Sequence, residues 1–444
     1  MPETPVAIPP PATRPASASR FGFNLFAGVL GLLFLAWRQH GEPGQPWDNG
    51  LQAGILVAVL IALHEHFVLR THRNPSSGLD FDRAPQRSLA RVLVKLVGLV
   101  LTLGLIAGAY ALFPEYHGSF YDPFWKVLKT YGLGLLALAP LYFWWLDGYL
   151  REPGDGYWHL GRLPWRWLCG DAPDATARRL IGHHLAGWAV KAFFVPLMVV
   201  YVGQEVRGVH LASQGLEWGS YRVFEFLFHL TFVIDLLFCV IGYTLTLRLF
   251  DAHIRWAEPT AFGWLVALAC YQPFFSVLES QYLHYEDGIS WGGWLAQMPE
   301  AKAAWAVALV ALLAIYALST VAFGLRFSNL TARGIITDGP YRYSKHPAYL
   351  SKNLSWWMIS VPFVATAPAI ALTNCLQLLL INALYYARAR TEEAHLSRDP
   401  DYVRYALWMN EHGLLAWAGR RWTWLRYRPP AGATAPAGGL HHAQ

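Results

Sequence analysis

The sequence predicts an all-α integral membrane protein of about ten transmembrane helices, ending in a helical hairpin with a cytoplasmic tail. Three observations predict it. Of the 444 residues, 55% are hydrophobic and only 14% charged, where a soluble chain of this length carries about 25% charged residues to cover its cores. Apolar runs of bilayer length follow one another along most of the chain. Lys and Arg gather in alternate loops between those runs.

Residues 1–20 are rich in Pro and Ala and read as a disordered tail. The first apolar run, Phe21–Trp37, lacks a small-residue cleavage site and is followed by many more, so it reads as a span rather than a cleavable signal. The following spans are Leu51–Leu69, Leu96–Phe113, Tyr131–Tyr149, Leu180–Gly203, Val223–Leu249, Ala261–Leu278 and Ala303–Phe323. Tyr271-Gln272-Pro273 places a kink in the seventh. Leu350–Val364 and Ala369–Tyr386 are short, and the turn Ala365-Thr366-Ala367-Pro368 joins them as a hairpin. The last residues, 429–444, again read as disordered.

Loops after even-numbered spans hold roughly 17 basic residues and loops after odd-numbered spans roughly 6. Arg70, Arg73, Arg83, Arg87 and Arg91 form the densest group. Both termini are therefore expected in the cytoplasm, and an even span count agrees. Trp144 and Trp145, Trp291 and Trp294, and Trp356 and Trp357 fall where spans end, as an interfacial aromatic belt requires.

The net charge of +6 is small for this length, and no Lys/Arg block marks a nucleic-acid surface. Cys169, Cys239, Cys270 and Cys375 lie at neither disulfide nor metal spacing and read as buried thiols.

Chemistry concentrates after Arg333. The loop Gly339-Pro340-Tyr341-Arg342-Tyr343-Ser344-Lys345-His346-Pro347-Ala348-Tyr349 enters the hairpin. Gly339-Pro340 makes a turn, and Pro347 fixes φ for a first helical turn. His346 then stands near the N-cap, beside unpaired N–H groups that favour an anion, with Arg342 and Lys345 adding positive charge. Beyond the hairpin come Arg388, Glu392 and Glu393, then Tyr402 and Tyr405. Arg388 and Glu392 are four apart, on one helix face, and could pair.

These stretches resemble the isoprenylcysteine carboxyl methyltransferase family and its phospholipid methyltransferase relatives. The shared pattern is Gly-Pro-Tyr-x-x-x-x-His-Pro-x-Tyr, a hairpin, Arg-x-x-x-Glu-Glu and Tyr-x-x-Tyr. Gly339, Pro340, Tyr341, His346, Pro347 and Tyr349 match its first half, and Arg388, Glu392, Glu393, Tyr402 and Tyr405 its second. The resemblance covers about a fifth of the chain, near residues 326–415. It implies S-adenosylmethionine as cofactor, bound at the cytoplasmic end by Tyr341, His346, Pro347, Tyr349, Glu392, Glu393, Tyr402 and Tyr405. Arg388, Glu392 and Glu393 carry the catalytic expectation. The implied acceptor is a membrane lipid or lipid-modified molecule offering a carboxylate, amine or thiol; separately, a bacterial inner membrane is the expected location.

Two departures stand out. Ser351, followed by Lys352 and Asn353, replaces a common Gly, and Arg398-Asp399-Pro400-Asp401 replaces a common Phe-Gly. The expected organisation is a multi-pass region over 21–325 and a methyltransferase-like region over 326–428. A sterol-reductase-like enzyme using reduced nicotinamide shares the His-Pro-x-Tyr hairpin, but it carries Arg-Asp where Glu392-Glu393 stands here. A scaffold or transporter is the non-enzymatic alternative, suited to intramembrane charges.

Those charges lie in the first six spans. His64, Glu65 and His66 end the second, His183 and His184 open the fifth, and Lys191 lies deeper; Glu225, His229 and Asp235 share the sixth. On ligand type they could hold a metal, yet no pair has the context of a known metal box, so no metal is expected. A lipid headgroup site, or pairing of Lys191 with Glu225 or Asp235, accounts for them.

Overall fold

The structure, a computed structural model, describes residues 11–41, 46–217, 221–282 and 288–430. It is 74% helical with almost no sheet. The ends of both expected tails (1–10 and 431–444) lie outside the described residues.

In chain order the helices are α1 (Phe21–Gly41), α2 (Pro46–Leu63), α3 (Leu89–Leu112), α4 (Asp122–Tyr149), α5 (Gly156–Gly161), α6 (Leu163–Leu168), α7 (Ala175–Ser213) and α8 (Tyr221–Thr244). The two-residue strand β1 (Trp256–Ala257) precedes α9 (Ala261–Leu268), α10 (Phe274–Tyr282), α11 (Trp291–Trp294) and α12 (Pro299–Phe323). Strand β2 (Thr331–Ala332) leads to α13 (Pro347–Ser360), α14 (Pro368–Leu396), α15 (Pro400–His412) and α16 (Ala416–Arg421). Among the described residues, eight helical segments are long and apolar enough to cross a membrane: those of α1–α4, α7, α8, α12 and α14.

The other two expected spans are shorter elements. Residues 261–278 divide at Gln272-Pro273 into α9 and α10, because proline carries no N–H to continue the ladder. Helix α13 has 14 residues and ends at Val361, in a left-handed conformation with φ 36°. It rises about 21 Å, short of the ~30 Å hydrocarbon core. Helix α14 has 29 residues and rises about 43 Å, so it is long enough for Arg388–Leu396 to stand beyond the core.

The chain forms two compact units. One comprises Phe23–Glu258 with Phe323–Arg333. The other comprises the described parts of Met1–Gly22, Pro259–Ala322 and Gly334–Gln444, so the unit with the C-terminal motifs takes in residues well before 326.

In the first unit, α7 runs 39 residues and packs against α2, α4, α5 and α8. Helices α3 and α5 meet where Gly98 faces the Tyr157 carbonyl and Gly161 faces the Val94 carbonyl; a Cβ at either would overlap that backbone. Charges buried in this unit are answered internally. Lys95, fully buried, lies 3.7 Å from Asp147 and 3.2 Å from Asp155. Arg326 pairs with Glu65 through two hydrogen bonds of 2.8 and 3.1 Å. Arg333 donates to the carbonyls of Ala252, Gly242, Phe327, Leu245 and Leu325. Beside it, β1 and β2 pair antiparallel, Trp256 opposite Ala332.

Lys191 is a correction to the expectation. Its Nζ donates to Thr246 Oγ1 at 3.1 Å and stands 3.5 Å from the Trp188 ring centroid, in place of a bond to Glu225 or Asp235. His229 Nδ1 meets Glu205 at 2.7 Å instead of sharing a site with Glu225. His184 meets Thr102 at 2.9 Å. Among the described residues no group of three or more His, Cys, Asp or Glu is placed to hold a metal ion.

In the second unit, α9 packs on α14, and α13 and α14 form the expected hairpin. Cys270, Leu378, Ile381 and Tyr385 make its apolar centre with Tyr271, Tyr349, Trp356 and Trp357 around them. A second core joins Ile335, Tyr402, Val403, Tyr405, Ala406, Met409 and Tyr427.

Candidate active site

The loop that opens α13 and the last turns of α14 meet in the second unit. Gly339–Arg342 forms a tight helical turn that starts with Gly339 at φ 60°, which glycine adopts without steric cost. His346 occupies the N-cap position of α13 and Pro347 its first turn, as the sequence predicts. The imidazole caps nothing in its own helix. It turns instead to α14, with Nε2 3.2 Å from Glu393 Oε1, and its ring stacks on Tyr349 at 5.5 Å.

Glu393 is buried and engaged at both oxygens. Lys345 Nζ lies 2.5 Å from Oε1, and Arg390 donates to Oε2 at 2.6 Å. Glu392, one residue earlier, accepts the Tyr349 hydroxyl at 2.6 Å on Oε2. Helical geometry separates the pair: adjacent residues point about 100° apart, so the two acids serve different partners.

Arg388 takes a different partner from the one expected. Its guanidinium lies over the rings of Tyr349 at 5.1 Å, Tyr271 at 5.4 Å and Tyr385 at 5.9 Å, while Glu392 is taken by Tyr349. Three aromatic faces attract a cation about as an exposed carboxylate would.

Tyr405 and Tyr402 belong to α15, whose N-cap Asp399 accepts from the Asp401 amide. Tyr405 donates to the Tyr341 carbonyl at 2.7 Å and reaches the Ser344 carbonyl at 3.2 Å, so it fixes the loop that presents His346. Tyr341 therefore enters the site through its backbone. The Tyr402 ring packs against Tyr405 and Tyr427, and its buried hydroxyl has no hydrogen-bond partner among the described residues. Burial pushes the Tyr402 phenol well above its ordinary pKa, and the charges of Glu393 and Glu392 add to this. Burial also lowers Lys345, against the opposing pull of Glu393.

Sequence reading named His346, Pro347, Tyr349, Arg388, Glu392, Glu393, Tyr402 and Tyr405, and the structure gathers them. It missed Arg390 as a ligand of Glu393, and it missed Tyr427, whose hydroxyl meets Ser397 Oγ at 2.6 Å and whose ring lies 5.3 Å from Lys345 Nζ. Arg390 is three residues from Glu393, a helical neighbour that spacing could have found. Tyr427 lies thirty residues from Ser397 and carried no signal.

The cluster has more positive than negative groups around Glu393, one carboxylate with an oxygen to spare in Glu392, stacked aromatic faces, and one buried hydroxyl without a partner. Such a set suits a ligand bearing a carboxylate, hydroxyls and a cationic centre. Residues 303–398 match the model of the isoprenylcysteine carboxyl methyltransferase family. The match begins within α12, earlier than the motifs, and ends before Tyr402. No curated protein and no solved structure matches the chain. The match supports a membrane methyltransferase in general terms.

Proposed function

We propose that the C-terminal unit transfers a methyl group from S-adenosylmethionine to a hydrophobic, membrane-partitioned acceptor. The observation that carries the proposal is the meeting of His346, Lys345 and Tyr349 at the start of α13 with Glu392 and Glu393 at the end of α14. It lies within a stretch matching a methyltransferase family.

The residues fit this cofactor on chemical grounds. Lys345 and Arg390 are two cations on the single carboxylate of Glu393, with His346 beside them, so the remaining positive charge suits the carboxylate of the methionine part. Glu392 keeps Oε1 for a ribose hydroxyl or the amino group, and the unpartnered Tyr402 hydroxyl is a further polar contact. The stacked pair His346 and Tyr349 offers π-faces to a sulfonium. When bound, the cofactor supplies an electrophilic methyl group.

What these residues contribute is positioning and charge. Arg388 is held over the rings of Tyr271, Tyr349 and Tyr385 and keeps Tyr349 in place beside Glu392. A carboxylate acceptor needs no base. An amine or thiol must lose a proton, and Glu392 Oε1 then serves the acceptor in place of the cofactor, since both oxygens of Glu393 are engaged. The excess of basic residues in alternate loops supports a cytoplasmic site and cytoplasmic termini, in keeping with the expected bacterial inner membrane.

Thermal unfolding of the detergent-purified protein with S-adenosylmethionine, its demethylated product or reduced nicotinamide tests the reading. A ligand at 100 times its Kd stabilises the fold by about 2.7 kcal/mol. A shift with the first two that Glu392→Gln and His346→Ala abolish supports the methyltransferase. A shift with nicotinamide alone points to a reductase, and none with any of the three to a non-enzymatic role.

A further inference from the structure

Residues 14–21 do more than lead into the first helix. Ala18 donates its amide to the Ile335 carbonyl at 2.9 Å. The Thr337 amide donates to Ser17 Oγ at 3.3 Å, and its hydroxyl donates to the Pro15 carbonyl at 2.8 Å. Arg14 lies 3.6 Å from Asp338, which also accepts from Arg342 at 2.8 Å. Phe21 packs so closely on Gly339 that a Cβ there would stand 2.8 Å from its ring.

The composition assigned all of these but Phe21 to a disordered tail. Pro15 answers the difference in part: a fixed φ lowers the entropy lost when such a segment docks. Thr337 is fully buried, so its hydroxyl needs a partner, and that partner is the tail. Every contact falls on 335–339, the residues that feed the turn carrying Tyr341 and then His346. Tyr405 grips that turn at its far end, through the carbonyls of Tyr341 and Ser344.

We propose that Arg14, Pro15, Ser17 and Phe21, received by Asp338, Thr337 and Gly339, form an N-terminal strap that positions the His346 loop for cofactor binding. This rests on the methyltransferase reading. The strap holds the near end of the loop and Tyr405 the far end. Without the strap, Gly339 is free to swing, and Lys345 and His346 lose their register with Glu393.

The test uses the full chain in detergent, a form lacking residues 2–18, Thr337→Val and Thr337→Ser. Hydrogen exchange is followed over 335–346, and binding of the demethylated cofactor by calorimetry. Removing the tail or the hydroxyl should raise exchange in 335–346 and weaken binding, each by about tenfold, with α12 and α14 unchanged. Thr337→Ser should stay close to wild type. Unaltered exchange in the shortened form, or faster exchange with unaltered binding, overturns the strap. If the wild type binds no cofactor, the methyltransferase reading fails while the exchange result still decides whether the strap orders the loop. Should Thr337→Val not fold, Arg14→Ala with Ser17→Ala gives the same decision.

Discussion

The Tyr405 hydroxyl donates to the Tyr341 carbonyl at 2.7 Å, so a helix that follows the hairpin holds the loop that precedes it. The contact spans 64 residues of sequence and explains why Tyr405 and the Gly339-Pro340-Tyr341 turn act together. Tyr405→Phe keeps the ring in its core and removes only the two bonds to the loop. It should cost about 1 kcal/mol of stability. Cofactor affinity should fall more than the melting temperature suggests, measured by calorimetry beside thermal unfolding. Equal affinity in the variant would separate this clamp from the site.

Glu392 and Glu393 should fail in different ways. Glu393→Gln strips the countercharge from Lys345 and Arg390 and the hydrogen-bond partner from His346, and leaves the half-buried Lys345 beside Arg390. Removing one partner of a buried pair costs about 3–5 kcal/mol, so this variant should lose stability first. Glu392→Gln keeps an acceptor for Tyr349 and should melt within about 1 kcal/mol of wild type while losing activity. Purification yield and melting of the two variants, set beside methyl transfer to a membrane extract, distinguish the roles; the reverse order would exchange them.

Much of this was legible before any coordinates. Apolar runs and sparse charge are local properties, so the all-α membrane fold could be read directly, and Pro347 announced the start of α13. Hydropathy does not register where a chain stops being helical, and two apolar runs show it. Gln272-Pro273 breaks one run, and Val361 ends the other. The pairing of side chains was less legible still. Arg388 and Glu392 sit four apart, yet Tyr349, reaching across from α13, takes the acid and joins two other tyrosines around the arginine. Tertiary neighbours outbid a helical one. The N-terminal strap was hidden for the same reason: Pro15 and Thr337 are 322 residues apart.

Glu65 and Arg326 supply a test in the other unit. Each side chain is 1% exposed, and two hydrogen bonds join them. Arg326→Met leaves the Glu65 carboxylate buried alone, a cost of about 3–5 kcal/mol. The double variant Arg326→Met with Glu65→Leu should recover most of it, since two apolar side chains replace a desolvated pair. Thermal unfolding of both variants and of the wild type checks this. A double variant as unstable as the single one would show that the pair, and not its desolvated remainder, carries the stability.

High pH should open the core around α15. Burial raises the phenols of Tyr402, Tyr405 and Tyr427 above their ordinary value of 10.0. The folded chain then holds these three protons more tightly than the unfolded chain does. Their contribution is fully present below the unfolded value and is lost as pH rises through it towards the folded values. Stability should therefore fall with each step of pH above about 10. Following tyrosinate absorbance and near-ultraviolet dichroism in one alkaline titration tests the coupling. The buried phenols should ionise only as the tertiary signal disappears, and should do so earlier in Ser397→Ala, which takes a partner from Tyr427. Ionisation of all tyrosines near the ordinary value, with the tertiary signal intact, would mean that water reaches this core and that the loop it anchors is not held from α15.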